Sequence, residues 1–254
     1  MPTTRTWRFS ALEFRTLWEV TGRDVLPYPL RHRRTDELRA DAVRSRQAAA
    51  RTLRPQLDSD LEQAVRVLLA PAARVEVAGF AGTTRTLGAH GAVANDTAAL
   101  AVQQPAAEGA DGDIRLTLLP AAELAAAVLD ALPRRAAGTG ETITVPAADL
   151  DAPRPHVSDP WRPTPREQFE KFFTRPTDAA FHIAVYPHGS IDNRHTEGRD
   201  DFQLHDVTGD GRYVLYGTRT LTVKPALPQR IPTTLSTIIT QTVTAVHNGT
   251  YLAH

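Results

Sequence analysis

Twice along this chain a segment with helical spacing of apolar residues is cut by a proline and replaced by a segment with a period of two. The first switch falls at Pro71. Before it, Leu61, Val65, Leu68 and Leu69 stand at i, i+4, i+7 and i+8; after it, Val75, Val77 and Gly79 alternate with Glu76 and Ala78. The second falls at Pro176, after a helical segment carrying Phe169, Phe172 and Phe173 and before strand-like runs at 181–186, 202–207, 211–216 and 219–224. A pattern with one period cannot sit in the other kind of element, so the order helix, proline, meander is imposed twice. Each meander closes on Pro-Ala, at Pro120-Ala121 and Pro225-Ala226, and a further helical pattern follows. Asp111–Ala121 aligns with Tyr216–Ala226 at Gly, Leu, Thr, Pro and Ala. The predicted fold is α+β, a central antiparallel sheet flanked by helices and built from two pseudo-symmetric halves. Residues 1–133 form the first half and 164–254 the second. A Pro/Gly/Ala-rich connector spans 134–163, and the whole is expected to make one compact domain.

Local signals set the boundaries. Ser10 and Glu13 form a capping box with Phe9 and Phe14 at staple positions, and Gly22 can end that helix in a left-handed turn. Prolines force Leu26–Leu30 to be extended. A second helix is expected from a Thr35 cap to about Arg54, and a third from Asp58 or Ser59. Strands are expected near 84–93, 97–104 and 113–119, with turns at Ala94-Asn95-Asp96 and at 109–112. Leu124, Val128 and Leu132 mark a helix that Pro133 ends. Ile143–Val145 gives a short strand inside the connector, and Thr164–Glu167 is a second capping box. Ile231, Leu235, Ile238, Ile239 and Val243 define the last helix.

Composition removes several function classes. Apolar residues make up 41% and charged residues 23%, enough for a packed core, and the formal net charge of +0 gives no global field toward nucleic acid or an anionic membrane. The absence of cysteine removes disulfides, thiolate zinc sites and thiol nucleophiles, and suits a reducing compartment. Residues 1–6 hold no apolar signal region, and no run approaches the roughly 20 apolar residues of a membrane span. A cytoplasmic protein without membrane insertion is expected. Lys171 and Lys224 are the only lysines, so arginine is the default cation and its abundance says little about function.

Chemistry is sparse. An enzyme would have to use the segment 182–206, which holds His182, His188, His195 and His205 with Ser190, Asp192, Asp200, Asp201 and Asp206. A hydrolase or a metal-dependent enzyme could be built from such groups. No pair there has ligand spacing, and Ser190 is not in a nucleophile elbow. Asp206–Gly211 opens like a calcium loop but has Gly217 where a glutamate is needed. A nucleic-acid module could use helix 35–54, with Arg39, Arg44, Arg46, Arg51 and Arg54, but Asp36, Glu37 and Asp41 interrupt the charge. No catalytic residue, cofactor or metal is expected.

Four blocks in order resemble the EspG chaperones of actinobacterial type VII (ESX) secretion. They are Trp7–Gly22 with Leu26-Pro27-Tyr28-Pro29-Leu30; Leu68–Pro71 running into Arg74–Val77; Ala99–Gln103 with Leu124–Pro133; and Gly211–Val214, preceded by Asp206 and followed by Leu221–Ala226. The resemblance implies a binder without chemistry. It would hold the apolar tip of a helical PPE protein in a PE–PPE heterodimer, keep it soluble and target it for secretion. It would do so through the central sheet and the C-terminal helical part. Two departures bear on how it engages that partner: the Phe80–Thr84 connection is short where some members have a long loop, and Pro55-Gln56 stands where a glycine is common. The partner surface this implies comprises Phe80, Arg85, Leu87, His90, Tyr213, Tyr216, Ile231 and Leu235.

Overall fold

The structure, a computed structural model, describes residues 4–33, 39–82, 85–104, 106, 111–153, 163–189 and 198–251, with backbone alone at Arg39 and Arg85. In chain order, strand β1 (Arg5–Phe9) is followed by helices α1 (Ala11–Glu19), α2 (Arg39–Leu53) and α3 (Ser59–Leu69). The first meander is β2 (Ala73–Ala81), β3 (Arg85–Ala94), β4 (Thr97–Gln103) and β5 (Ile114–Pro120), and helix α4 (Leu124–Asp130) follows it. Strand β6 (Ile143–Pro146) and helices α5 (Ala147–Asp151) and α6 (Pro165–Phe173) lead into the second meander. That meander is β7 (Thr177–Pro187), β8 (Asp200–Val207), β9 (Gly211–Tyr216) and β10 (Thr220–Pro225), and α7 (Arg230–His247) comes last.

The strands form one ten-stranded sheet in the order β1-β5-β4-β3-β2-β7-β8-β9-β10-β6, with antiparallel neighbours throughout. The order reads alike from its centre outward: β2 matches β7, β5 matches β10, and β1 matches β6. Both meanders end on their prolines, Pro120 and Pro225. The centre is the β2–β7 pair, in register from Ala73↔Pro187 to Ala81↔Ala179. β1 was not foreseen from the sequence, although Trp7 and Phe9 are buried and alternate with exposed neighbours. The short strand expected inside the connector is present as edge strand β6, paired with β10. The Thr35 cap lies outside the described residues.

Capping fixes the helix starts. Glu13 N–H donates to Ser10 Oγ at 3.2 Å and Ser10 N–H to Glu13 Oε2 at 2.8 Å, while Phe9 and Phe14 pack at 6.2 Å. Thr164 and Glu167 repeat the device in α6, and Asp58 caps α3. Gly22 adopts φ +82°, the left-handed conformation that ends α1. At mid-sheet Gly79 faces Phe181, and a Cβ there would lie 2.5 Å from the Phe181 ring. Only glycine lets the two meanders close at that point.

The sheet buries both faces. On the inner face Val75, Val77, Leu100, Phe181, Ile183, Phe202 and Leu204 pack beneath α4 and α7. On the outer face Trp7, Phe9, Ala99, Leu116 and Leu118 lie under α1 to α3, and Val145, Tyr213 and Val223 lie under Phe169 and Phe172 of α6. Buried charge is paired. Arg74 binds Glu76 at 2.8 Å, donates to the carbonyls of Pro187, His188 and Gly189, and lies over the Tyr186 ring at 4.3 Å. Arg212 grips both oxygens of Asp206, at 2.6 and 2.8 Å.

A polar clamp fastens the connector to the β8–β9 hairpin. Asp210 accepts from Tyr213 Oη at 2.6 Å, from Arg175 at 2.6 Å, and from Thr139 backbone and hydroxyl at 2.8 and 2.9 Å. Gly140 N–H donates to Tyr213 Oη at 2.8 Å, and a Cβ at Gly138 would strike the Tyr213 ring at 2.1 Å. The Tyr213 hydroxyl first, then Arg175, hold the Asp210 carboxyl well below the usual carboxylate range. A depressed pKa gives stability that is complete above the unfolded value of about 3.9 and fades as pH falls. Asp210→Asn should cost about 1–3 kcal/mol in urea unfolding at pH 7, and its gap to the parent should narrow below about pH 4. A gap constant with pH would rule this out.

His90 adds to the loss of stability in acid, in a higher pH window. It is fully buried, with Nδ1 2.7 Å from the Tyr28 carbonyl and Nε2 unpartnered, and burial pushes its pKa down to about 4. Between about pH 6.5 and 4 the unfolded chain takes up a proton that the native one refuses, so stability falls with pH across that window, by about 3 kcal/mol in all. His90→Gln should flatten that slope in unfolding curves taken at pH 7 and 4.5. An unchanged slope would assign the acid sensitivity elsewhere.

Candidate partner-binding cleft

The eight residues expected at the partner surface do not share one surface. Leu87, His90, Tyr213 and Leu235 are buried, which corrects their expected role. Leu87 stands opposite Gly79 and packs into the inner core, and His90 lies beneath Tyr28, which with Pro29 forms a turn closed by Leu30 N–H to the Pro27 carbonyl and not the extended segment expected there. Tyr213 is locked in the polar clamp, and Leu235 is on the inward side of α7. Alternation sends every second large side chain into the core, and sequence alone does not say which. Phe80 (41% exposed) and Tyr216 (39%) remain accessible, and Ile231 is half-buried. The Arg85 side chain lies outside the described residues; its backbone pairs with Ala81.

Register separates the survivors. Val77 pairs with Ile183, Ile183 with Phe202, and Phe202 with Tyr216, so these four share the inner face. Phe80 is three residues from Val77 on β2 and therefore points to the outer face. There it pairs with Thr86, which receives a hydrogen bond from Arg31. Tyr216 and Ile231 act on one side of the sheet and Phe80 on the other.

On the inner face the two halves differ. α4 follows β5 and lies over β3 and β4. The equivalent place for α7, which follows β10, is over β8 and β9, but α7 instead lies over β7 and β2. Its 18 residues span about 27 Å, long enough for Leu235, Ile239 and Thr242 to seal the central seam. Beside it a cleft of about 590 Å³ remains open. Phe202, Val214 and Tyr216 make its floor, and Leu227, Ile231, Thr234 and Ile238 make its wall.

Charge is placed at the ends of this cleft. Lys224 and Arg230 stand at one end, with Lys224 Nζ 4.8 Å from the Tyr216 ring centroid. Asp200 stands at the other, about four residue steps or roughly 13 Å along β8 from the level of Lys224. Among the described residues none of these three has an ion-pair partner. Lys224, Leu227, Arg230, Thr234 and Ile238 were not expected at the site. The only sequence signal for them is that Ile231, Thr234 and Ile238 recur on one side of a helix with no charge between Ile231 and Val246.

In the described part of the segment 182–206, the histidines make structural contacts. His182 Nε2 is 2.6 Å from Asp201, His205 Nε2 is 3.2 Å from Gln203 Oε1, and His188 Nε2 is 3.1 Å from the Tyr251 carbonyl. Burial lowers the pKa of His205. Ser190, Asp192 and His195 lie outside the described residues. Among the described residues no group of three metal-ligating side chains converges, and no helix is long and apolar enough to cross a membrane. In α2, Arg44 is paired with Asp41.

A comparison of sequences with curated proteins finds no match. Among solved structures, the chain is similar to the Mycobacterium tuberculosis type VII secretion system chaperone EspG5, solved in complex with the PE25–PPE41 dimer. The TM-score is 0.61 at 12% identity, covering 94% of this chain and 96% of that one. At that identity the likeness speaks for the fold, a large antiparallel sheet flanked by helices. The EspG family model matches residues 10–237, and across that span runs the whole sheet from β2 to β10: the chain belongs to the EspG family.

Proposed function

We propose that this protein is a cytoplasmic, substrate-specific chaperone that binds a PE–PPE heterodimer and delivers it to a type VII secretion system. The observation that carries this reading is the family match over residues 10–237, joined to a fold shared with a chaperone solved on its PE–PPE dimer. The open cleft supports it. An apolar floor beside a helix suits an apolar helical tip that would otherwise self-associate. Tyr216 and Ile231 are its anchors from the expected surface. The family match favours a protein that acts by binding and not by catalysis.

Co-expression with PE–PPE pairs from the same genome tests this. At least one pair should co-purify as a stable complex and stay soluble only when the chaperone is present. Phe80→Asp in the same assay reports whether the outer face takes part. Failure with every pair would overturn the proposed function.

A further inference from the structure

An open sheet has two edges, and here the two are finished differently. β6 is short, ends on Pro146 and runs straight into α5. A proline has no N–H to offer a further strand. β1 closes the other side of the sheet. Among the described residues, no backbone hydrogen bond involves Arg5–Phe9 outside the ladder to β5. Its outward N–H and C=O groups are a free template for strand addition.

Charge marks the same edge. Trp7 and Phe9 belong to the outer core, so Thr6 and Arg8 point to the inner face. Thr6 Oγ1 accordingly lies 3.2 Å from Thr117 Oγ1. Arg8 stands directly opposite Arg115 of β5, and Arg115 stands opposite Val102 of the inner core. Both arginines are exposed. Like charges directly opposite are destabilising, and among the described residues neither arginine has an ion-pair partner. Asp113, two residues from Arg115 on the same side, pairs with neither. The other arginine of the strand is different: Arg5 is held by Asp58 and Asp60 at 2.6 and 2.8 Å.

We propose that this edge takes an acidic, extended segment of a partner protein as an eleventh strand. Beside β1, the residue of that segment opposite Arg8 lies about 5 Å away on the inner face. A glutamate or aspartate there, and another two residues along, supplies the charge that Arg8 and Arg115 lack. A second copy of this chain fits less well, because its own β1 brings the same cations. Seven strand steps separate β1 from β9 of the cleft, roughly 34 Å at the usual spacing, so this contact leaves the cleft free.

The test uses the full chain and a labelled peptide of alternating glutamate and threonine, followed by fluorescence anisotropy. The peptide should bind at low salt and weaken as salt screens the charges. The same peptide with its backbone amides methylated keeps the charge but loses its donors, and should bind about tenfold more weakly. Arg115→Glu should weaken binding by about tenfold at low salt and less at high salt. Because it removes a like-charge pair, it should also raise the unfolding midpoint of the free protein by about 1–3 °C. A midpoint that falls would make the arginine pair structural and overturn the inference. Equal binding of the methylated peptide, or equal competition by a short DNA strand, would show a charged surface without strand addition and overturn it too. A wild type that binds no peptide would overturn it and leave the chaperone function standing.

Discussion

The ladder between β2 and β7 is the contact on which the rest depends. It joins two meanders that are otherwise separate in sequence, and it places both halves on one continuous hydrogen-bonded surface. Its tolerance is narrow. Gly79 must be a glycine because Phe181 occupies the space a Cβ would take. Arg74, buried at one end of the ladder, collects the carbonyls with which β7 ends. Removing one partner from such a buried pair costs about 3–5 kcal/mol, so Arg74 and Glu76 hold the seam by mutual need more than by net attraction.

From that seam the two halves depart from symmetry in one respect that matters. A seven-residue α4 and an 18-residue α7 follow the same proline signal, but the longer helix can cover the seam only by leaving its own strands. Stability at the centre and an open surface at the side thus have one cause. The cleft lies beside the helix that seals the joint, and Tyr216 is the exposed residue of its floor.

Much of this was legible in the sequence. Pro71, Pro176, Pro120 and Pro225 marked the helix-to-strand switches and the ends of both meanders. The capping boxes at Ser10 and Thr164 marked two helix starts. Period two, however, says that alternate residues share a face and not which face is inward, so Leu87, His90 and Tyr213 read as surface candidates although the core claims them. β1 is five residues long, and a strand that short needs its partner β5 to be recognised. The displacement of α7 has no local sequence signal at all. It follows from helix length and from which strands remain uncovered, and that is why Leu227, Thr234 and Ile238 went unread.

The position of Lys224 has a chemical consequence. In a chain whose cations are almost all arginine, this amine and Lys171 are the only side-chain amines. Lys171 belongs to α6 on the outer face, and Lys224 leans on Tyr216 within the cleft on the inner one. Acylating reagents, which modify amines and spare guanidinium groups, therefore meet one such nucleophile on each side of the sheet. The protein carries a built-in pair of reporters, one on each side of its sheet, and occupancy of the cleft can be read from the reactivity of one against the other.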